Sequence, residues 1–552
     1  MTRLAVPVLV LAIAGGIAAQ AQLAPVPQGA IAAAKTVTAA AIAGPTRFLS
    51  NDLLEGRATS KPGEALATAY LASEMESIGL EPAGPGGAWE QRFAAIGLTS
   101  HVPEKWGFST KGGTVSLSFW DEFIAATGKQ MPSAAISDAE LVFVGYGIAA
   151  SEFQWDDFKG ADVRGKVLVF LNNDPDWDDS LFAGNRRLYY GRWTYKYEEA
   201  ARRGAAGAIV VHTTPSAGYG WPVVRNSWSG EQYELPNAGE PTIEVKAWTT
   251  EAATRRLLKV AGFDLDALIA KARSREFRPV PLGIRTSLTI TADIGRGQAI
   301  NVAGVLRGSD SKLRDEYVVF SAHHDHLGVG KPDASGDRIY NGARDNATGV
   351  ATVLAIARAF AALPERPRRS LLFLFVTGEE SNLLGSHHFA THPTVPNDRI
   401  VADINFDSGN IFGRTRDVSQ VGRGKSDLDR VLDAAAGLQG RVVTDEAFPD
   451  RGAFYRSDQF AFAEVGIPSL YFSSGLDYIG RPAGWGKEIG DAWRDAHYHQ
   501  PSDEMDPSWN WDGMVEDARL GLLVGYAVAQ ADRRPVWGAG DEFERARANS
   551  GE

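Results

Sequence analysis

YVVFSAHHDHLG, residues 317–328, sets the pattern of the chain, because a short apolar run ends there in histidine and aspartate. The pattern returns in LLFLFVTGEE at 371–380 and in IVADINFD at 400–407. Each apolar run has the length and composition of a buried strand. NGARDNATGV at 341–350 opens a stretch with apolar residues at helical spacing. Strands that alternate with helices and end in polar side chains predict a mostly parallel α/β sheet with its chemistry at the carboxyl edge.

Length and composition limit the class of protein. A chain of 552 residues exceeds the size at which single cores stop growing, so two or more domains are expected. Hydrophobic residues at 44% and charged residues at 22% are typical of a soluble globular protein. A net charge of −12 without a basic stripe argues against nucleic acid as a partner.

The first 21 residues have the features of a signal peptide. Arg3 supplies a basic start, residues 4–19 are apolar, and Ala19-Gln20-Ala21 is a cleavage site with small residues. The apolar run is shorter than the ~20 residues of a membrane-spanning helix, and no later stretch qualifies. The chain has no cysteine, which excludes a lipid-modified N-terminal cysteine and a disulfide framework. These features predict an exported bacterial protein, periplasmic or extracellular, with no membrane span.

The rest of the chain divides by composition. Residues 22–44 are rich in Ala, Pro and Gln and predict a flexible lead-in. Short β-like runs between Ser137 and Leu282 surround a helix with a glycine stop and carry no clustered metal-type residues, so they predict an inserted domain. The predicted order is a signal peptide (1–21), a lead-in (22–44), the first part of a catalytic domain (45–136), an inserted β-rich α/β domain (137–282), the main part of the catalytic domain (283–533) and a polar, frayed tail (534–552).

Five side chains near the predicted strand ends are candidate metal ligands: His323, Asp345, Glu380, Asp407 and His499. Nitrogen and carboxylate ligands without thiolate suit zinc, or cobalt or manganese. Five ligands exceed the usual three of one catalytic zinc, but they suit two Zn²⁺ ions ~3.5–4 Å apart that share a carboxylate and a hydroxide. Three carboxylates and a hydroxide also balance the charge of two divalent cations.

Two further carboxylates have predicted roles beside the metals. Glu379 is outside the ligand set but next to Glu380, which suits a general base that takes a proton from metal-bound water and passes it to the leaving amine. Asp325 follows His323 by two residues and is predicted to accept the second imidazole N–H, which fixes the tautomer.

Each of these residues also has an ordinary structural interpretation. A Glu-Glu pair is usually a solvated helix face, and Asp345-Asn346 alone would suit a helix N-cap. His324 and His326 follow the first strand as well, although only one of three closely spaced histidines need bind a metal. The remaining histidines outside these groups are expected to be structural or exposed: His101, His212, His387, His388 and His392.

Several motifs together resemble metallopeptidase family twenty-eight, the co-catalytic zinc aminopeptidases and glutamate carboxypeptidases. The motifs are HxDHLG at 323–328, NGAxDNAxG at 341–349, GEExxxxGS at 378–386, NFD at 405–407, YHxPxD at 498–503 and FLxxDxLEGR at 48–57. The middle block resembles the protease-associated domain through GYG at 145–147, GKV at 165–167 and GAAG at 204–207.

The resemblance implies the zinc exopeptidase fold and a role for each matched residue. It implies that His323 and Asp407 bind one zinc, that Glu380 and His499 bind the other, and that Asp345 bridges them. It also implies that Glu379 is the base, that Tyr498 stabilises the oxyanion, and that the Asp345–Asn346 peptide is cis.

The predicted activity is aminopeptidase action on peptides, with a metal-bound hydroxide as nucleophile. A carboxypeptidase of the glutamate-carboxypeptidase type is the alternative, and it would need cations for the substrate carboxylate; Arg344, Arg451 and Arg456 are available. The complete ligand set weighs against a non-catalytic receptor-like protein and against a one-metal acyltransferase of the glutaminyl-cyclase type. The inserted domain is either a wall or lid over the cleft or a packing module.

Overall fold

The apolar runs form neighbouring parallel strands in the computed structural model, which describes residues 27–549. Tyr317–His323 pairs in parallel with Ser370–Val376 on one side and with Ile400–Asn405 on the other. Ser469–Ser474 continues the parallel set beside Ile400–Asn405. The carboxyl ends of these strands therefore meet at one edge of the sheet, as the sequence predicts.

Antiparallel strands extend this core on both sides. Val280–Leu306 pairs antiparallel with Ser370–Val376, and Asp417–Val421 pairs antiparallel with Ser469–Ser474. The predicted mostly parallel mixed sheet is thus confirmed. The order of these strands is Glu90–His101, Val280–Leu306, Ser370–Val376, Tyr317–His323, Ile400–Asn405, Ser469–Ser474, Asp417–Val421 and Val442–Asp445, and Gln232–Glu234 pairs with the outer side of Glu90–His101.

Helices cover both faces of this sheet. Thr348–Ala361 is almost wholly buried and packs beside Asp512–Gln530, the predicted closing helix. Pro62–Ile78 begins with proline and ends at Gly79 in the left-handed conformation (φ +88°), as its glycine stop predicts. No helix within residues 27–549 has the length and apolarity needed to cross a bilayer. The other helices of this part are Gln28–Lys35, Ala39–Leu49, Leu384–Thr391, Leu428–Leu438, Gln459–Glu464, Trp485–His497 and Glu544–Asn549.

The middle block has its own set of strands and its own core, and it begins earlier than predicted. The boundary at Ser137 falls inside the strand Ser133–Phe143, and Trp106 and Phe123 belong to the same buried cluster as the later strands of the block. Apolar side chains before Ser137 therefore face this core. Its strands are Lys105–Thr110, Gly113–Ser118, Phe123–Thr127, Ser133–Phe143, Val167–Leu171, Gly207–His212 and Val245–Thr250. Its helices are Trp193–Arg202, Thr214–Ala217, Trp221–Ser227, Glu251–Val260 and Leu265–Ala272.

One long strand connects the strands of the middle block with the main sheet, so that together they form one continuous 17-stranded sheet. Val280–Leu306 has 27 residues. Its first half pairs with Ser133–Phe143 in the middle block, and its second half pairs with Glu90–His101 and Ser370–Val376 in the main sheet. Strands of two or three residues complete the described part: Glu81–Pro82, Ala149–Ala150, Trp155–Asp156, Gln232–Glu234, Gly328–Val329 and Ile339–Tyr340.

Two predictions about the chain ends need correction. The flexible lead-in is wrong from residue 28 onward, because Gln28–Lys35 and Ala39–Leu49 are helices with Ala30 and Ile42 buried. Alanine favours helix, and its small side chain lets these two helices pack against Thr348–Ala361 and Asp512–Gln530, which cover the sheet. The tail is not frayed over 534–549, because Trp537 and Phe543 are buried in an aromatic cluster. The predicted signal peptide lies outside the described residues.

Candidate metal centre

The carboxyl edge of the sheet brings the five predicted ligands together. His323 is the last residue of its strand, and Glu380 and Asp407 follow theirs by four and two residues. Asp345 lies in the turn before the helix Thr348–Ala361, and His499 follows the helix Trp485–His497. Three of the five, His323, Asp345 and His499, are buried, and Asp407 and Glu380 are partly buried.

Asp345 faces two sides of the cluster with its two oxygens. Its Oδ1 lies 3.4 Å from His323 Nε2, which is also 3.5 Å from Asp407 Oδ1. Its Oδ2 lies 3.4 Å from His499 Nε2, which is also 3.1 Å from Glu380 Oε2. Asp345 therefore occupies the position of a carboxylate shared between two groups of ligand atoms.

His326 is a further member that the sequence left undecided. Its Nδ1 lies 2.6 Å from Glu380 Oε1. Two triads have ligand atoms within 4.8 Å of one another: His323 with Asp345 and Asp407, and His326 with Asp345 and Glu380. His324 is in neither triad. Its Nε2 lies 2.9 Å from Ile300 O, and this contact ties the residues after the strand Tyr317–His323 to the neighbouring strand. The sequence feature that indicates His326 is its position among three closely spaced histidines at the end of a strand.

The cluster fits divalent cations. Among the described residues, His323 Nε2 and His326 Nε2 are buried without a hydrogen-bond partner, and the 2.6 Å contact between His326 Nδ1 and Glu380 Oε1 does not have hydrogen-bond geometry. Buried polar atoms normally have partners, so this concentration needs an explanation. Nitrogen and carboxylate donors without thiolate are those that zinc accepts in catalytic sites.

The negative charge of the carboxylates in the cluster also favours a bound cation. Burial acts to lower the pKa of His499, but Glu380 and Asp345 outweigh it and raise the pKa to about 10. The pKa of His323 is likewise raised well above its ordinary value against burial, chiefly by Glu379 and Asp325. The carboxylates thus give this site a strong affinity for positive charge.

Glu379 and Asp325 lie next to this cluster. Glu379 lines the cleft together with Asp345 and Asp407. Asp325 accepts hydrogen bonds from the backbone N–H of Glu379 (3.2 Å) and of the following residue (3.4 Å). The predicted contact between the Asp325 carboxylate and the His323 ring is longer than a hydrogen bond, since Asp325 Oδ1 is 3.6 Å from His323 Nδ1. The backbone oxygen of Asp325 lies closer to that nitrogen, at 3.3 Å. Asp325 therefore positions the loop of the glutamates as well as the imidazole.

Tyr498 lines the same cleft. Its ring centroid is 4.0 Å from that of His499, and Arg456 Nη2 donates a hydrogen bond to its hydroxyl at 3.5 Å. Burial raises the pKa of Tyr498 well above its ordinary value, so the hydroxyl stays protonated and can donate. Its role at an oxyanion remains a prediction.

Buried side chains hold the backbone around Asp345. The Asp345–Asn346 peptide is cis, as the resemblance implies. Asp503 accepts the N–H of Asp345 at 3.0 Å, and Asn346 donates to Phe406 O at 2.9 Å. Gly349 is required by close approach, because a Cβ there would lie 2.1 Å from Asn346 Oδ1.

Arg57 joins the N-terminal segment to two loops of the site. Its buried guanidinium donates to Leu49 O (2.6 Å), His324 O (2.7 Å), Gly342 O (3.0 Å) and Asn341 O. Burial lowers the pKa of Arg57 to about 10. The motif at 48–57 thus has a supporting function that spacing alone did not indicate.

The cleft beside the cluster is rich in arginine. It has a volume of about 320 Å³ and is lined by Arg344, Arg451, Arg456 and Arg494. Arg451 and Arg494 share one carboxylate, that of Asp491, at 3.4 and 2.9 Å. Burial, with Arg451 and Arg456 nearby, lowers the pKa of Arg494 to about 10. The cleft lining has five basic and five acidic side chains, so the arginines lie among carboxylates.

Known proteins share parts of this chain. Residues 301–522 match the model of peptidase family M28. A protein of Pyrenophora teres f. teres named Probable zinc metalloprotease is 34% identical over 106 residues, which is 19% of this chain and 22% of that protein. A Vacuolar membrane protease of Ajellomyces capsulatus is 30% identical over 108 residues, covering 17% of this chain and 10% of the relative. The matches thus span less than a quarter of either relative's length.

A solved structure shares the fold. The aminopeptidase from Aneurinibacillus sp. strain AM-1 aligns over 92% of this chain and 96% of its own, with a TM-score of 0.53 and 20% identity. At this identity the likeness concerns the arrangement of helices and strands.

Proposed function

We propose that this chain, whose residues 301–522 form a domain of peptidase family M28, is a zinc-dependent exopeptidase. The observation that carries the proposal is the convergence of four side chains, distant in sequence, around Asp345, with His323 and His499 each 3.4 Å from one of its two oxygens. His323 and Asp407 would hold one zinc and Glu380 and His499 the other. When bound, zinc polarises a scissile carbonyl and lowers the pKa of water toward neutrality.

Glu379 is the proposed general base. It is adjacent to the ligand Glu380 but lines the cleft, where substrate enters. Burial, together with Glu380, Asp407 and Asp458, raises its pKa well above the ordinary value despite the attraction of His323. A carboxylate with raised proton affinity can take a proton from water and return it to the leaving amine. The Tyr498 hydroxyl, held by Arg456, is placed to donate to an oxygen that becomes negative.

The end of the peptide that is removed distinguishes two candidate functions. Aminopeptidase action is the first candidate and follows the motif resemblance. Carboxypeptidase action is the second, and the arginines of the cleft favour it, because guanidinium groups bind a terminal carboxylate well.

Export and the middle block complete the proposal. The signal peptide predicted at 1–21 supports the proposal of export to the periplasm or medium. The middle block is proposed as a protease-associated domain that forms one wall of the cleft. Tyr219 of this block lies over Arg456 with its ring centroid 5.0 Å from the guanidinium carbon.

Metal analysis and a peptide panel test the proposal. We expect two zinc ions per chain and hydrolysis that stops after chelation and returns with zinc. Amino-blocked and carboxy-amidated versions of one peptide distinguish the candidates, since an aminopeptidase accepts only the amidated peptide and a carboxypeptidase only the blocked one. Cleavage of neither peptide by the zinc-loaded protein would contradict the proposal.

A further inference from the structure

The short helix Trp221–Ser227 of the middle block reaches the candidate metal centre. Ser227 Oγ lies 2.7 Å from His499 Nδ1, and Asn226 Nδ2 donates to His499 O at 3.0 Å. His499 is thus held at both its ring and its backbone by residues far from it in sequence. We infer that Ser227 and Asn226 are positioning residues that complete the metal centre from the middle block, and this inference rests on the proposed metal site.

The hydrogen bonds of Ser227 fix the direction of the proton. Its hydroxyl donates to Val223 O at 2.7 Å, so its single hydrogen is already used. The Oγ can then only accept from His499 Nδ1–H. With the hydrogen on Nδ1, the lone pair of Nε2 points toward Asp345 Oδ2 and Glu380 Oε2, at 3.4 and 3.1 Å. This is the tautomer that a metal ligand needs.

Asn226 holds the backbone conformation that aims this ring. His499 has φ +55°, which residues other than glycine rarely adopt. The Asn226 amide binds the His499 carbonyl and also Gln500 Oε1 at 3.0 Å, and the Asn226 side chain is buried. The amide therefore fixes the turn after the helix Trp485–His497 as one unit.

The helix is itself anchored inside the middle block. Val224 is buried in the aromatic cluster of that block, which includes Trp248. Trp221 Nε1 donates to Trp120 O at 2.8 Å. A displacement of the middle block would consequently withdraw Ser227 from His499, so the block contributes to metal binding and is more than a wall.

Zinc competition against a chelator tests this inference. In Ser227→Ala, we expect one of the two zinc ions to bind about 10–100-fold more weakly, as is usual when the second partner of a histidine ligand is lost. The other ion, held by His323 and Asp407, should keep its affinity. Ser227→Thr retains a hydroxyl and should restore most of the loss.

A matched control and a second variant separate positioning from folding. Ser274→Ala is the control, because it removes a hydroxyl of the middle block that accepts a hydrogen bond from the Glu276 N–H. This substitution should leave both zinc affinities unchanged. Asn226→Ala should weaken the same ion as Ser227→Ala, while circular dichroism of each metal-free variant matches the wild type. Two unchanged affinities in Ser227→Ala and Asn226→Ala would overturn the inference and leave the proposed function intact. A wild-type protein that binds no zinc would contradict the proposed function instead.

Discussion

Glu379 and Glu380 are adjacent in sequence but have opposite environments. Against burial, His499 and His326 lower the pKa of Glu380 to about 2. Glu379 faces other carboxylates, among them Asp407, and with burial these raise its pKa well above the ordinary value. One glutamate thus stays ionised, as the proposed metal ligand must, whereas the other has the raised proton affinity that suits the proposed base.

Replacement of Glu379 by glutamine should separate chemistry from metal binding. We expect turnover of a peptide substrate to fall by about 10²–10⁴-fold, because the amide cannot accept the proton. Zinc content should remain that of the wild type. Glu380→Gln is the comparison and should lose zinc. Loss of zinc in Glu379→Gln with retention in Glu380→Gln would mean that the two roles are exchanged.

His326 and His499 both approach Glu380, and zinc stoichiometry distinguishes their roles. His499→Ala should reduce the bound zinc from two ions to one, because Nε2 of His499 faces both Asp345 and Glu380. His326→Ala should retain two ions, since His326 is expected to orient Glu380 through the 2.6 Å contact. Metal analysis after gel filtration measures both. One ion in His326→Ala and two in His499→Ala would make His326 the ligand.

Four of the five predicted ligands could be grouped from sequence because each follows a strand or opens a helix, where local pattern and motif agree. His499 instead follows the helix Trp485–His497 and was indicated by its motif. Ser227 and Arg57 could not be assigned in this way. Ser227 acts through a contact with a residue 272 positions away, and a serine at the end of a short helix has no distinctive local signal. Arg57 binds carbonyl groups, which every residue has, so its partners depend on the complete fold.

Among the elements, the segment after the helix Asp512–Gln530 has more structure than its composition indicates. Trp537 is buried against Phe543, with ring centroids 5.2 Å apart, and its indole donates to Gly466 O at 2.9 Å. Two aromatic residues thus attach an otherwise polar segment to the catalytic domain. Buried strands were easier to predict, because an apolar run such as 371–376 has no other stable environment.

Trp537→Ala should destabilise the protein. Loss of the indole leaves a cavity next to Phe543, and we expect the free energy of unfolding to fall by about 3 kcal/mol. Denaturant unfolding measures the change. Val536→Ala, at a neighbouring side chain that is 59% exposed, should change it by less than about 0.5 kcal/mol. Equal effects of the two substitutions would show that the segment does not pack as described.

For the molecule as a whole, the candidate metal centre joins segments between residues 323 and 499 with one helix of the middle block. Zinc should therefore stabilise the folded protein. At a free zinc concentration of about 100 times Kd, binding contributes about 2.7 kcal/mol per ion. We expect chelation to lower the melting temperature by at least about 5 °C.

Calorimetry with and without chelator measures this shift, and zinc added back should reverse it. Glu379→Gln provides the control, because it should keep its metal and shift by the same amount on chelation. A melting temperature that does not respond to zinc in either protein would contradict metal binding at this site.

The fold class followed from the sequence, but the domain boundary did not. Parallel strands with ligand residues at their ends predict one architecture, whereas the limits of the middle block depend on which core the residues at 105–127 face. Alternating strands of the block and of the main sheet have similar local patterns, so only the packing of Trp106 and Phe123 assigns them.

The shared strand Val280–Leu306 also affects the order of events during translation. Glu90–His101 leaves the ribosome long before its pairing partner, which is the second half of that strand, and the whole middle block is synthesised between them. The N-terminal part of the nascent catalytic domain must therefore wait with an unpaired edge while the block folds, a period in which such edges are prone to misassembly. Chaperones that shield exposed strands would be needed most at that interval of synthesis.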